Sequence, residues 1–267
     1  MKYMTFTASC SYCCLANLLE AFGVDKEDRD VALEMGLPYL FSREAEDGSY
    51  LAGAMLQGKD WFNYYLNTIG FEFFEDMVEK EKTIRHLEEH IPCMVGLKGE
   101  FGKHAMIYQG GREGKFIFLN PHRAEDGQTD EVAFSEAELL DVLSEVNAVG
   151  YICSAAERTE QDRSLFHESL TWLGRWRSDM KEFCSQLRTR DEIMAVVNPL
   201  FRPLAVDGLS MMELAGEQEL ADGFRLFQSQ AMALFRAGDC RPDGIIDQAH
   251  LDKIAADYAA LIRRKMQ

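Results

Sequence analysis

Apolar residues first recur at helical spacing in Ser9-Cys10-Ser11-Tyr12-Cys13-Cys14-Leu15-Ala16-Asn17-Leu18-Leu19-Glu20-Ala21-Phe22-Gly23. Leu15, Leu18, Leu19 and Phe22 fall on one face and Gly23 sits where a helix ends, so the pattern predicts a helix opened by Cys10. Lys26 to Leu33 reads as a second short helix, Met35-Gly36-Leu37-Pro38 with Tyr39-Leu40-Phe41 as a turn carrying an apolar insertion, and Glu44 to Gly48 as a polar loop. The aromatic run Trp61 to Leu66 continues to a stop at Gly70, after which the alternation of Phe71-Glu72-Phe73-Phe74 predicts a strand. Thr83 to His90 reads as a helix ended by Pro92. Strands are then expected over Cys93 to Leu97, His104 to Tyr108 and Phe116 to Leu119, the last two joined by the glycine-rich hairpin connection Gly110 to Gly114. Ser135 with Glu138 spells a capping box before Leu139-Leu140 and Val142-Leu143, and Val149 to Cys153 returns as a final strand.

Beyond a polar run from Ala155 to Asp162 the pattern becomes helical, over about Ser164 to Leu187, Glu192 to Phe201, Glu217 to Arg236 and Gln248 to Met266. Phe166, Leu170, Leu173 and Trp176 form one stripe. Phe224, Leu226, Phe227, Met232, Leu234 and Phe235 form a broader apolar surface, which fits a bundle packed on the first domain or on another copy of the chain. Trp172, Trp176, Met211 and Met212 could instead line a groove. The expectation is an α+β fold with two domains, 1–154 of mixed character and 155–267 all helical.

At 267 residues and 47% hydrophobic the chain can bury a sizeable core. Its 28 basic and 45 acidic side chains give a net charge of −17, and no Lys/Arg cluster interleaves with aromatics, which argues against nucleic acid as a partner. No apolar run approaches the roughly 20 residues of a membrane span. Cysteine usage, at Cys10, Cys13, Cys14, Cys93, Cys153, Cys184 and Cys240, is odd in number and mostly in apolar stretches. That suits reduced thiols in a cytoplasmic protein rather than a disulfide framework.

Three residue types then combine into one chemistry. A thiol at a helix N-terminus faces unpaired N–H groups and the positive dipole end, which lower a cysteine pKa from about 8.5 toward neutrality. His104 begins an apolar strand, and Asn120 closes the next, so hairpin pairing brings the amide to the imidazole. Nucleophile, base and orienter are therefore read as Cys10, His104 and Asn120. Each also has a plainer explanation: a small buried hydrophobe, a hydrogen-bonded structural histidine, an Asn-Pro turn; and Cys13 or Cys14 could be the reactive thiol. Metal binding competes, through the pair Cys10 and Cys13 or through His86-Leu87-Glu88-Glu89-His90, which spells H-x-x-E-H. Neither supplies a full ligand set from the sequence, so no metal and no cofactor is assigned. A redox C-x-x-C lacks the βαβ pattern around it.

Residues Cys10, Cys14-Leu15-Ala16, Leu18-Leu19, Gly23, Ile69-Gly70, Ile91-Pro92-Cys93-Met94-Val95, His104 and Asn120-Pro121 together resemble the papain-like cysteine peptidases that cut double-glycine leaders for bacteriocin exporters, and their stand-alone relatives. That family usually has Asp-Pro where this chain has Asn120-Pro121. The resemblance spans about Met1 to Cys153 and implies a helix packed on an antiparallel sheet, with peptidase or amidase activity on a peptide substrate. Glu34-Met35-Gly36-Leu37, Phe41, Ser49-Tyr50-Leu51 and the helical extension are similar to the butirosin biosynthesis protein H family. There the implied reaction is acyl transfer from an acyl-carrier protein to an amine in natural-product biosynthesis. The leader peptidases carry a glutamine ahead of the nucleophile as oxyanion donor, and this chain has Met4 in that place. Losing such a donor costs about 10²–10³ in rate. Gln57, Thr7, Ser9 or backbone N–H groups are the substitutes available; without one, the fold is a binding module.

Overall fold

Cys10 opens the first helix of the computed structural model, which describes residues 2–5, 10–99, 102–121 and 131–267. In chain order the elements are α1 (Cys10–Ala21), α2 (Asp28–Met35), β1 (Phe41–Arg43), β2 (Tyr50–Ala52), α3 (Lys59–Ile69), β3 (Phe71–Glu79), α4 (Lys80–Glu89), β4 (Cys93–Gly99), β5 (Gly102–Arg112), β6 (Lys115–Leu119), β7 (Glu131–Phe134), α5 (Glu136–Val142) and β8 (Val146–Ser154). The helical remainder holds α6 (Ser164–Cys184), α7 (Arg190–Ala195), π-helical turns at Val197–Phe201 and Pro203–Gly208, α8 (Leu209–Ala215), α9 (Gln218–Ala237) and α10 (Gln248–Met266). The fold is α+β, with a helix on an antiparallel sheet and a helical C-terminal region. Among the described residues no helix is long and apolar enough to cross a membrane.

The chain divides into two compact units, one built from the segment ending at Val31 with Gln57–Gln161, the other from Ala32–Leu56 with Asp162–Gln267. This differs from a single boundary between 154 and 155. The apolar segment around Phe41 belongs with the C-terminal helices, whose Trp176 and Tyr258 cover it.

In the first unit the sheet runs β3-β8-β4-β5-β6-β7, antiparallel throughout. Helix α1 is more deeply buried than a one-sided apolar stripe implies: Tyr12 through Leu19 are all buried, while Phe22 is exposed. Tyr12 meets Phe62 of α3 edge-on at 5.4 Å, and Phe62 meets Phe73 of β3 at 5.0 Å. These T-shaped contacts tie both helices to the strand. Gly70 ends α3 in the left-handed conformation at φ 88°, as a C-cap glycine does. Another apolar cluster gathers Leu87 of α4, Leu139 and Leu143 around α5, and Cys93, Val95, Tyr108, Phe118 and Val149 of the strands. The capping box forms as read: Glu138 N–H donates to Ser135 Oγ while the Glu138 carboxylate accepts from Ser135 N–H.

In the second unit β1 and β2 form a hairpin whose Phe41 packs edge-on against Trp176 of α6 at 6.4 Å and Tyr258 of α10 at 6.3 Å. The groove reading for Trp176, Met211 and Met212 is corrected: all three are buried in this unit's core, and Trp176 Nε1 donates to the Leu200 carbonyl at 2.7 Å. The broad apolar surface of α9 is likewise divided. Phe224, Phe227 and Leu234 are buried, and Leu226 and Met232 are exposed.

Candidate active site

Residues 2–5, ahead of α1, are held by hydrogen bonds to Asn17, Asp28 and Pro121. Asn17, buried on α1, accepts from Lys2 N–H at 2.8 Å and donates through Nδ2 to the Lys2 carbonyl at 3.0 Å. The buried Asp28 carboxylate accepts from Thr5 N–H at 2.8 Å and from the Thr5 hydroxyl. Met4 N–H donates to the Pro121 carbonyl at 3.0 Å, clipping the same segment beside Asn120. One strand residue, Ala105, fixes α1 against β5. Its N–H donates to Cys10 Sγ at 3.2 Å, and its carbonyl accepts from Cys14 Sγ at 3.4 Å.

That register sets Cys10 against His104. The imidazole Nε2 meets Asn120 Oδ1 at 2.7 Å, which leaves Nδ1 as the nitrogen for the thiol, and the Cys10 and His104 side chains are hydrogen-bonded. Burial pushes the Cys10 thiol up, but the His104 hydrogen bond, the Ala105 N–H and the imidazolium charge together outweigh it, and the thiol ends below its ordinary value. For His104 the hydrogen bond to Cys10 leads; it outweighs burial and, with the cysteine's charge and the Asn120 amide, raises the imidazole above its ordinary value. A lowered thiol and a raised imidazole each favour the thiolate–imidazolium form of this pair, in which a nucleophile has a proton donor beside it.

Both residues face a cleft of about 1120 Å³ that is also lined by Met4, Gln57, Phe62, Phe73, Met94 and Asn120. Gln57, one of the oxyanion candidates read from the sequence, therefore shares the cavity with the sulfur, while Thr7 and Ser9 lie outside the described residues. Cys13 is buried, donates to the Lys2 carbonyl at 3.3 Å, and burial with the Asp28 and Glu27 charges raises its thiol to about 12. Cys14 is raised well above its ordinary value by burial, so neither neighbour shares the character of Cys10.

No family model and no curated protein matches this chain. Among solved structures it is similar to the peptidase domain of Streptococcus ComA, described as a bi-functional ABC transporter involved in a quorum sensing pathway, at 12% identity and TM-score 0.40, over 57% of this chain and 96% of that one. It is also similar to a double glycine motif protease from an AMS/PCAT transporter, solved with its leader peptide, at 16% identity and TM-score 0.37, over 57% of this chain and 89% of that one.

Ala105, Asn17 and Asp28 act on this site without having been singled out in the sequence. Ala105 contributes only backbone, which no residue type signals, and the partners of Asn17 and Asp28 lie in the irregular N-terminal segment. Glu75, Lys98 and Lys103 also line the cleft, Glu75 on the same face of β3 as Phe73.

Proposed function

We propose that this chain is a papain-like cysteine hydrolase, a peptidase or amidase acting through an acyl thioester on Cys10. The observation that supports the reading is the Cys10 sulfur at the wall of a large cleft, bonded by the Ala105 N–H and the His104 imidazole that Asn120 orients. The thiolate forms a bond to the substrate carbonyl carbon; the C–N bond breaks as His104 gives its proton to the leaving amine; His104 then takes a proton from water as the water oxygen bonds the thioester carbon, and the C–S bond breaks to release the carboxylic acid and return the Cys10 thiolate beside protonated His104. Gln57 is the side-chain amide we assign to the oxyanion. The cleft exceeds the about 300–1,000 Å³ usual for small ligands and is walled by Phe62, Phe73, Met94 and Phe134, which favours a stretch of polypeptide as substrate.

The test is alkylation by an iodoacetamide probe near neutral pH with peptide mapping, paired with intact-mass detection of an acyl adduct from a thioester donor. Cys10 is expected to react fastest and to carry the adduct, and Gln57→Ala to slow acylation by about 10²–10³ while leaving alkylation unchanged. Cys10 labelling no faster than Cys93 or Cys184 would overturn the assignment. An adduct that decays in water supports hydrolysis; one that persists until an amine is added assigns the thioester to acyl transfer instead.

A further inference from the structure

His86 and His90 stand one helical turn apart where α4 ends, and two imidazoles at that spacing are half of a transition-metal site. The other half comes from a different element. Asp76 of β3 brings its carboxylate to them, and the three ligand atoms all lie within 4.8 Å of one another. His86 Nε2 is 3.0 Å from Asp76 Oδ2, and the Tyr151 hydroxyl of β8 donates to the same oxygen at 3.1 Å. The Tyr151 ring stacks on His90 at 3.8 Å with 13° between planes. One tyrosine thus holds both a carboxylate and an imidazole in place, as partners just outside a metal's ligand set do.

We propose that Asp76, His86 and His90 bind a divalent transition-metal ion of the zinc type, on the face of the sheet away from the thiol cleft. Alternation along β3 separates the two: Glu75 lines the cleft, so Asp76 points to the opposite face. Zinc bonds of about 2.0–2.1 Å in a tetrahedron set ligand atoms about 3.3 Å apart, so side-chain adjustment of about 1.5 Å at most closes the set. Two imidazoles select zinc, cobalt, nickel or iron over calcium and magnesium, which take oxygen ligands. Three protein ligands leave a position for water. Glu89, the glutamate of H-x-x-E-H, bonds Arg85 at 2.8 Å on the exposed side of the helix, so the site binds a metal without the base a metallopeptidase needs. A bound ion would fasten the end of α4 to β3 and stabilise the fold by mass action.

The test uses the full chain carrying Cys10→Ser, which removes the thiol from the cleft and leaves His104 there without its sulfur partner, stripped with chelator and titrated with Co²⁺ and with Zn²⁺. Expected are one ion per chain, cobalt d–d absorption without a sulfur-to-metal charge-transfer band, and an unfolding midpoint that rises with zinc. His90→Ala and Asp76→Asn are each expected to weaken binding by about tenfold or more. Asp76→Asn keeps the shape of the carboxylate and reads the site even where loss of the His90–Tyr151 stack disturbs folding. Absence of saturable one-to-one binding, a thiolate charge-transfer band, or an affinity that neither substitution moves would overturn the proposal.

Discussion

One turn of α1 separates Cys10 from Cys13, and burial pushes up both thiols. What differs is the neighbours: His104 and the Ala105 N–H stabilise a thiolate at Cys10, whereas Asp28 and Glu27 oppose one at Cys13. In our reading, turnover should rise with pH as Cys10 ionises below the ordinary thiol value and fall as His104 loses its proton above the ordinary imidazole value. His104→Ala removes the largest contact opposing burial, so the thiol pKa moves up and alkylation near neutral pH slows by about tenfold per unit. Asn120→Ala should move the midpoint less, since its bond is the smallest contribution to the His104 shift. The pH dependence of iodoacetamide labelling measures both, and an unchanged midpoint in His104→Ala sinks the ion pair. At this scale the sequence carried Cys10, His104 and Asn120, whose types announce their chemistry. It could not carry Asp76, whose partners sit on a neighbouring helix and which looks like any charge on a solvated strand.

The hairpin of β5 and β6 shows what was legible at the level of elements. Apolar runs located both strands, but the glycine-rich run read as their connection is divided between two jobs. Gly110 and Gly111 stay within β5 next to an irregularity after Tyr108, and the turn itself is Glu113-Gly114, with φ of 53° and 75° between the paired Arg112 and Lys115. Glycine marks both bulges and turns, so composition alone does not separate them. Strand β3 runs on to Glu79 because it pairs with β8 along its whole length, although its outer half is too polar to signal a strand. The π-helical turn Pro203–Gly208 and α8 went unread because Pro203 and Gly208 interrupt the helical pattern. Pairing also brings Gly150 of β8 under Phe73, where an added Cβ would lie 2.3 Å from the ring and 3.0 Å from Met94. Phe73 and Met94 wall the cleft, so Gly150→Ala should cost about 1–3 kcal/mol of stability and impair turnover through a reshaped cavity. Thermal unfolding alongside steady-state kinetics checks this; an unchanged midpoint would show that the ring yields freely.

Across the whole molecule, the feature hardest to read from the sequence is the excursion Ala32–Leu56, which leaves the first unit and returns to it at Gln57. Its apolar residues resemble an ordinary loop insertion until their partners are known, and those partners are more than a hundred residues downstream. Phe41 N–H donates to Ser169 Oγ at 2.9 Å, and the Tyr258 hydroxyl donates to the Leu40 carbonyl at 3.3 Å. Leu37, Leu40 and Phe41 are at most 1% exposed. A chain cut after Gln161 keeps these side chains and deletes what covers them, so burial worth about 1.5–3 kcal/mol for each large apolar side chain is lost at once. That fragment is expected to expose an apolar patch, bind a hydrophobic dye and associate in a concentration-dependent way, although it retains every strand of the six-stranded sheet. Replacing Phe41 with serine within the fragment should reduce dye binding, whereas in the full chain the same change opens a cavity beside Trp176 and Tyr258 and lowers the unfolding midpoint. Dye fluorescence and sedimentation of the two lengths, with and without Phe41→Ser, separate these effects. A fragment that stays monomeric and dye-silent would mean that the excursion finds its cover within the first 161 residues, contrary to the contacts on which the division into two units rests.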